Sequence, residues 1–131
     1  MSRFVPFWAK AFSPGGIAVS EGHRLILVID AERHGSVTLT VDRRIVIGRS
    51  DPTEPPAQVL GLDLAPYGGE RSGVSRVHAA LFPDVDGVYV EDLESTSGTF
   101  LNGLRLTPSR SYRLRSGDEL EFGRARVTVR L

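Results

Sequence analysis

No segment of this chain repeats its apolar residues at helical spacing; they come in short runs, alternating or continuous, separated by glycine, proline, asparagine and aspartate. Val37, Leu39 and Val41 alternate with Ser36, Thr38 and Thr40, which puts the apolar set on one face of a strand and leaves the other wet. Leu25, Leu27 and Ile29 interleave with Ile26 and Val28, an unbroken apolar run that predicts a well-buried strand. Residues 45–47 form a third run, and Leu60, Leu62 and Leu64 alternate again. Residues 79–82 and 88–90 flank a turn at 83–87. Residues 99–101 and 104–106 flank Asn102-Gly103, a pair suited to the positive φ that both central positions of a tight hairpin require. Residues 119–122 and 125–131 close around Gly123-Arg124. About ten short strands with frequent turns predict an all-β chain, an antiparallel β-sandwich.

The chain of 131 residues, 40% hydrophobic, suffices for one core and one domain. Residues 1–22 read as an extension with a turn or hinge at Ser13-Pro14-Gly15-Gly16, and residues 23–131 as the domain. The extension carries Phe4, Phe7 and Trp8, which either pack on the domain as a flap or form a short linear segment for another partner. Between Ser50 and Val74 lies a long stretch with weak strand signals, including Asp51-Pro52 and Pro55-Pro56. A loop of that length in a small domain is usually functional or disordered.

Charge and composition exclude several function classes. Sixteen basic residues balance sixteen acidic ones, so no general attraction to nucleic acid or to an anionic membrane is expected. With no cysteine, disulfides, thiolate nucleophiles and thiolate metal sites are excluded, and the cytoplasm is the expected compartment. Neither a signal peptide nor a transmembrane helix is expected. Lys10 is the only lysine, so no P-loop ending in Gly-Lys-Ser/Thr exists. His23, His34 and His78 lack metal-ligand spacing. Ser75 and His78 superficially supply two members of a hydrolytic triad, but no Gly-x-Ser-x-Gly elbow accompanies them. No enzyme activity, cofactor or metal is expected.

Three polar clusters remain: Gly48-Arg49-Ser50, Ser75-Arg76-Val77-His78, and residues 95–99 followed by Asn102-Gly103. Polar residues in loops at one rim of a sandwich converge even when distant in sequence. Arginine supplies charge and paired donors for a phosphate, while serine and threonine hydroxyls and loop amides add neutral donors. Arginine makes up all but one of the basic residues; genomic base composition produces the same bias.

In order and spacing, Gly48-Arg49, Ser75-Arg76-Val77-His78 and the run from Asp92 to Gly103 resemble the forkhead-associated (FHA) domain, a phosphothreonine-binding β-sandwich. The late segment Leu114-Arg115-Ser116-Gly117-Asp118-Glu119-Leu120 also fits. The resemblance implies about eleven strands in two twisted sheets, with phosphothreonine peptides bound by loops at one end. It assigns phosphate contacts to Arg49 and Ser75, a second basic contact to Arg76, and closure of the pocket to Thr96. Ser97 stands where that family usually has an asparagine that grips the peptide backbone, and Glu94 where glycine is common. Gly48, His78, Gly98 and Asn102 match structural residues that support the site. The implied function is a bacterial-style signalling adaptor for threonine-phosphorylated segments of a serine/threonine kinase or its substrate. A degenerate interaction module that does not require phosphate is the alternative, motivated by Ser97, Glu94 and the aromatic extension.

Overall fold

Alternation at period two forces each strand to present one apolar face, and two such faces packed together make the core. The computed structural model describes residues 4–5, 22–30, 35–56 and 58–131. Among them are twelve strands: β1 (Phe4–Val5), β2 (His23–Asp30), β3 (Gly35–Val41), β4 (Ile45–Gly48), β5 (Leu62–Asp63), β6 (Val77–Asp84), β7 (Gly87–Asp92), β8 (Thr99–Leu101), β9 (Leu104–Arg105), β10 (Ser111–Arg113), β11 (Glu119–Phe122) and β12 (Ala125–Arg130). One sheet runs β1-β10-β7-β6-β4-β5 and the other β3-β2-β12-β11-β8-β9. The protein is the expected all-β sandwich. Eleven of the twelve strands lie within 23–131.

The core lies between the sheets, with Leu25, Leu27, Ile29, Ile47, Leu81, Val90, Leu120, Phe122 and Val127 among its members. Each such side chain contributes about 1.5–3 kcal/mol on burial. The run 25–29 is less buried than its sequence predicts: Leu25 and Leu27 are fully buried, but Ile26 and Val28 are partly exposed. They lie on the alternate face of β2, opposite the one that meets the core.

Three further differences matter. Leu62 and Asp63 alone form a strand, β5, and it pairs parallel to β4, with Ile47 opposite Leu62, against the antiparallel expectation. Leu64 is buried without strand geometry and leads into a 3-10 turn at Ala65–Tyr67. Strand β10 had no apolar run to announce it, yet it pairs with β7 through Tyr112 and Val90. Within the expected extension, Phe4 and Val5 pair with Tyr112 and Ser111 of β10. How Phe7 and Trp8 are placed lies outside the described residues.

The sequence-predicted hairpins form. β6 and β7 pair from Ala79–Asp92 to Asp84–Gly87, and Asn102-Gly103 joins β8 to β9 with φ of 51° and 84°. No helix among the described residues is long and apolar enough to cross a membrane.

Candidate functional site

The site starts where β4 stops pairing regularly with β6. The register slips between Ile47 and Gly48, so that Ile47 faces Ala79 while Gly48 faces Val77. This brings the chain against Arg76: a Cβ on residue 48 would lie 2.0 Å from the Arg76 carbonyl oxygen. Only glycine fits such an approach. The Arg49 N–H then donates to the Arg76 carbonyl at 3.3 Å. Its side-chain Nε donates to Val74 O at 2.9 Å. The bulge thus fixes the first arginine beside the second.

Among the described residues, the two terminal nitrogens of Arg49 have no hydrogen-bond partner. Arg76 differs. Its Nη1 donates to Glu54 Oε2 and its Nη2 to Pro55 O, both at 2.5 Å. Arg49, Arg76, Ser50, Asp51, Glu54 and Asp63 line one hollow of about 650 Å3, with Pro56, Val59 and Leu60 as apolar wall. Hydrogen bonds from Thr53 hold the Asp51 carboxyl below its usual range, helped by the charges of Arg49 and Arg76. Partial burial works to raise the Asp63 carboxyl, but hydrogen bonds from Ser50 and Ala65 and the charge of Arg49 lower it overall.

His78, on β6, joins the loop before it to the loop after β7. The Ser75 N–H donates to Nδ1 at 3.0 Å, and Nε2 lies 2.9 Å from Gly98 O. An acceptor at Nδ1 and a donor at Nε2 define the neutral tautomer protonated on Nε2. The ring is fully buried and packs edge-on against Phe122 with centroids 5.8 Å apart. Burial drives its pKa down, outweighing the Gly98 hydrogen bond and the Asp92 charge that favour the cation. With both nitrogens engaged, the ring offers no base to the Ser75 hydroxyl. That hydroxyl instead accepts from the Thr96 N–H at 3.1 Å, a second tie between the loops.

The loop after β7 is shaped by Asp92. Its buried carboxylate accepts from Ser95 Oγ at 2.5 Å, from Thr99 Oγ1 at 2.7 Å and from the Ser95 N–H at 3.2 Å. Ser95 Oγ in turn accepts from the Gly98 N–H at 3.0 Å. This polar box escaped the sequence reading, although Asp92 standing just ahead of a serine- and threonine-rich turn is the signal for it. Glu94 is exposed at φ 55°, a left-handed conformation in which glycine is less strained. Behind the loop, Asn102 Nδ2 donates to Asp118 Oδ1 at 3.0 Å, and its Oδ1 accepts from the Glu119 N–H at 2.9 Å.

The residues singled out in the sequence therefore meet in different ways. Arg49 and Arg76 share a hollow. Ser75 and Thr96 bond to each other, but neither lines that hollow. Ser97, which follows Thr96 in the chain, lines a second hollow of about 680 Å3 with Arg71, Gly73, Phe100 and Arg124. A Cβ on Gly73 would sit 2.7 Å from Ser97 Oγ. Gly98 takes φ 91°, and a Cβ there would lie 2.8 Å from Arg105 Nε. No group of three histidine, aspartate or glutamate side chains among the described residues is placed to hold a metal.

Known proteins resemble this chain in sequence and in fold. Protein FraH of Nostoc sp. (strain PCC 7120 / SAG 25.82 / UTEX 2576) is 45% identical over 51 residues, which cover 39% of this chain and 18% of FraH. The chain thus corresponds to a minor part of that relative. A structure described as "Structural and functional analysis of phosphothreonine-dependent FHA domain interactions" superposes with a TM-score of 0.64 at 25% identity, covering 83% of this chain and 97% of the other. The FhaA FHA domain complexed with the intracellular domain of Rv3910 gives a TM-score of 0.62 at 25% identity, over 81% and 99% of the two chains. The family model for the FHA domain matches residues 45–123, from the start of β4 to the turn after β11, and the chain belongs to the FHA domain family.

Proposed function

We propose that this chain is a phosphothreonine-recognition module, and that Arg49, Ser75, Arg76 and Thr96 form its phosphate grip. The observation that carries the proposal is the convergence of Arg49 and Arg76 on one hollow, with Ser75, the chain neighbour of Arg76, bonded to Thr96. A phosphate monoester brings about 1.5–2 negative charges and three acceptor oxygens. The terminal nitrogens of Arg49, without a hydrogen-bond partner among the described residues, match those acceptors in charge and in fork geometry. His78, Gly48, Gly98 and Asn102 support the loops through the contacts given above. Ser97 is assigned to the peptide backbone beside the phosphothreonine.

The protein acts, in this reading, as a non-enzymatic signalling adaptor of bacterial type in the cytoplasm, and its partner is a threonine-phosphorylated segment of a serine/threonine kinase or of a kinase substrate. The FHA domain interactions of one structural relative are described as phosphothreonine-dependent, and FhaA is complexed with the intracellular domain of Rv3910. Both support a module that recognises other proteins. Calorimetric titration with matched phosphothreonine, phosphoserine and unmodified peptides tests the reading: binding follows that order, with no measurable affinity for the unmodified form.

A further inference from the structure

One cation of the proposed grip is already occupied by the protein itself. Both terminal nitrogens of Arg76 are held by the loop between β4 and β5, one by the Glu54 carboxylate and the other by the Pro55 carbonyl. The loop is shaped to present that carboxylate. Asp51 accepts from the Thr53 N–H at 2.8 Å, from Thr53 Oγ1 at 2.6 Å and, through its carbonyl, from the Glu54 N–H at 3.3 Å. Glu54 therefore sits on a tight turn, inside the hollow that Arg49 and Arg76 line.

We infer that Glu54 is an internal competitor for the anion site and determines which anions the site accepts. The inference rests on the phosphothreonine reading of that site. A carboxylate from a partner offers Arg76 what Glu54 already offers, a single charge on two oxygens, and gives up the advantage of being tethered nearby. A dianionic phosphate carries more charge and a third oxygen, and it engages Arg49 in the same hollow. Exchange of Glu54 for phosphate is thus favourable where exchange for carboxylate is not. The Arg76 and Glu54 side chains are 33% and 56% exposed, so their pair is weak enough to be displaced. Glu54 filters out acidic segments that lack phosphate, at a modest cost in affinity for those that carry it.

The test measures dissociation constants of the wild-type chain and Glu54→Gln for one peptide in three forms: phosphothreonine, glutamate at that position, and unmodified threonine. Glu54→Gln tightens the phosphothreonine form by about two- to five-fold, the range of a partly exposed ion pair. It tightens the glutamate form by a larger factor, so selectivity between the two falls. In an Arg76→Ala background the same substitution changes neither constant. Unchanged or weakened binding of both anionic forms by folded Glu54→Gln, while the wild type prefers phosphothreonine, overturns the inference and leaves the phosphate reading standing. Persistence of the effect without Arg76 also overturns it. A wild-type chain with no preference for phosphothreonine over unmodified threonine removes both.

Discussion

The backbone N–H of Ser75 donates to Nδ1 of His78 at 3.0 Å, and the other ring nitrogen reaches the Gly98 carbonyl at 2.9 Å. A single buried imidazole thus ties the two loops that carry Ser75 and Thr96. The tie requires the neutral ring, because an imidazolium has no acceptor for the Ser75 N–H.

Folding therefore couples to pH through His78. Its folded pKa is depressed below the ordinary 6.5, so the unfolded chain binds the proton more readily. The contribution is fully present above the unfolded pKa and is lost as pH falls below it toward the folded value, at up to about 1.4 kcal/mol per pH unit. Denaturant unfolding at pH 7.5, 6.5 and 5.5 reads this as a falling midpoint. His78→Gln lowers stability at pH 7.5 and flattens the decline.

Gly48→Ala forces its Cβ against the Arg76 carbonyl, which lies 2.0 Å from the ideal position. Overpacking of this kind costs about 1–3 kcal/mol or more, since the obstacle is backbone. The thermal midpoint drops, and peptide affinity falls with it because Arg76 is displaced. A variant with wild-type midpoint would remove the close approach from the account.

Asp92→Ala strips the acceptor from Ser95 and Thr99 at once. Buried donors left unsatisfied cost about 1–3 kcal/mol each. Chemical unfolding shows the loss. Hydrogen exchange shows it locally, as faster exchange of the Gly98 amide, which is held by Ser95 Oγ.

Ser97→Asn adds an amide donor and acceptor at an exposed position, with little effect on stability. Peptide binding tightens by up to about tenfold, the value of one added hydrogen bond. Titration of the same phosphopeptide against both chains measures it; a weaker variant means that serine fits a different peptide geometry.

Much of the sandwich was legible because its signals are local. The alternation of Val37, Leu39 and Val41 and the turn at Asn102-Gly103 each specify geometry within a few residues. Strand β10 was not legible: Ser111 and Arg113 have no strand pattern, and β7 pairs with Tyr112 and Arg113 through the backbone. The parallel pairing of β5 likewise depends on a chain return that no short run encodes. Arg49, Ser75 and Arg76 stood out by residue type and spacing, and of these Arg49 and Arg76 line one hollow. The Glu54–Arg76 pair did not stand out, because it joins side chains 22 positions apart across a loop without periodicity. The His78 bonds to Ser75 and Gly98 depend on buried three-dimensional packing in the same way.

In the proposed function, Arg49 holds a phosphate borne by threonine. Titration of wild type and Arg49→Ala with matched phosphothreonine and unmodified peptides tests it most directly. Wild type binds the phosphothreonine form alone, and the folded variant loses about 2–5 kcal/mol of binding, as expected when one partner of a desolvated charge pair is removed. Equal affinity of wild type for both peptides, or unchanged affinity in folded Arg49→Ala, would contradict it.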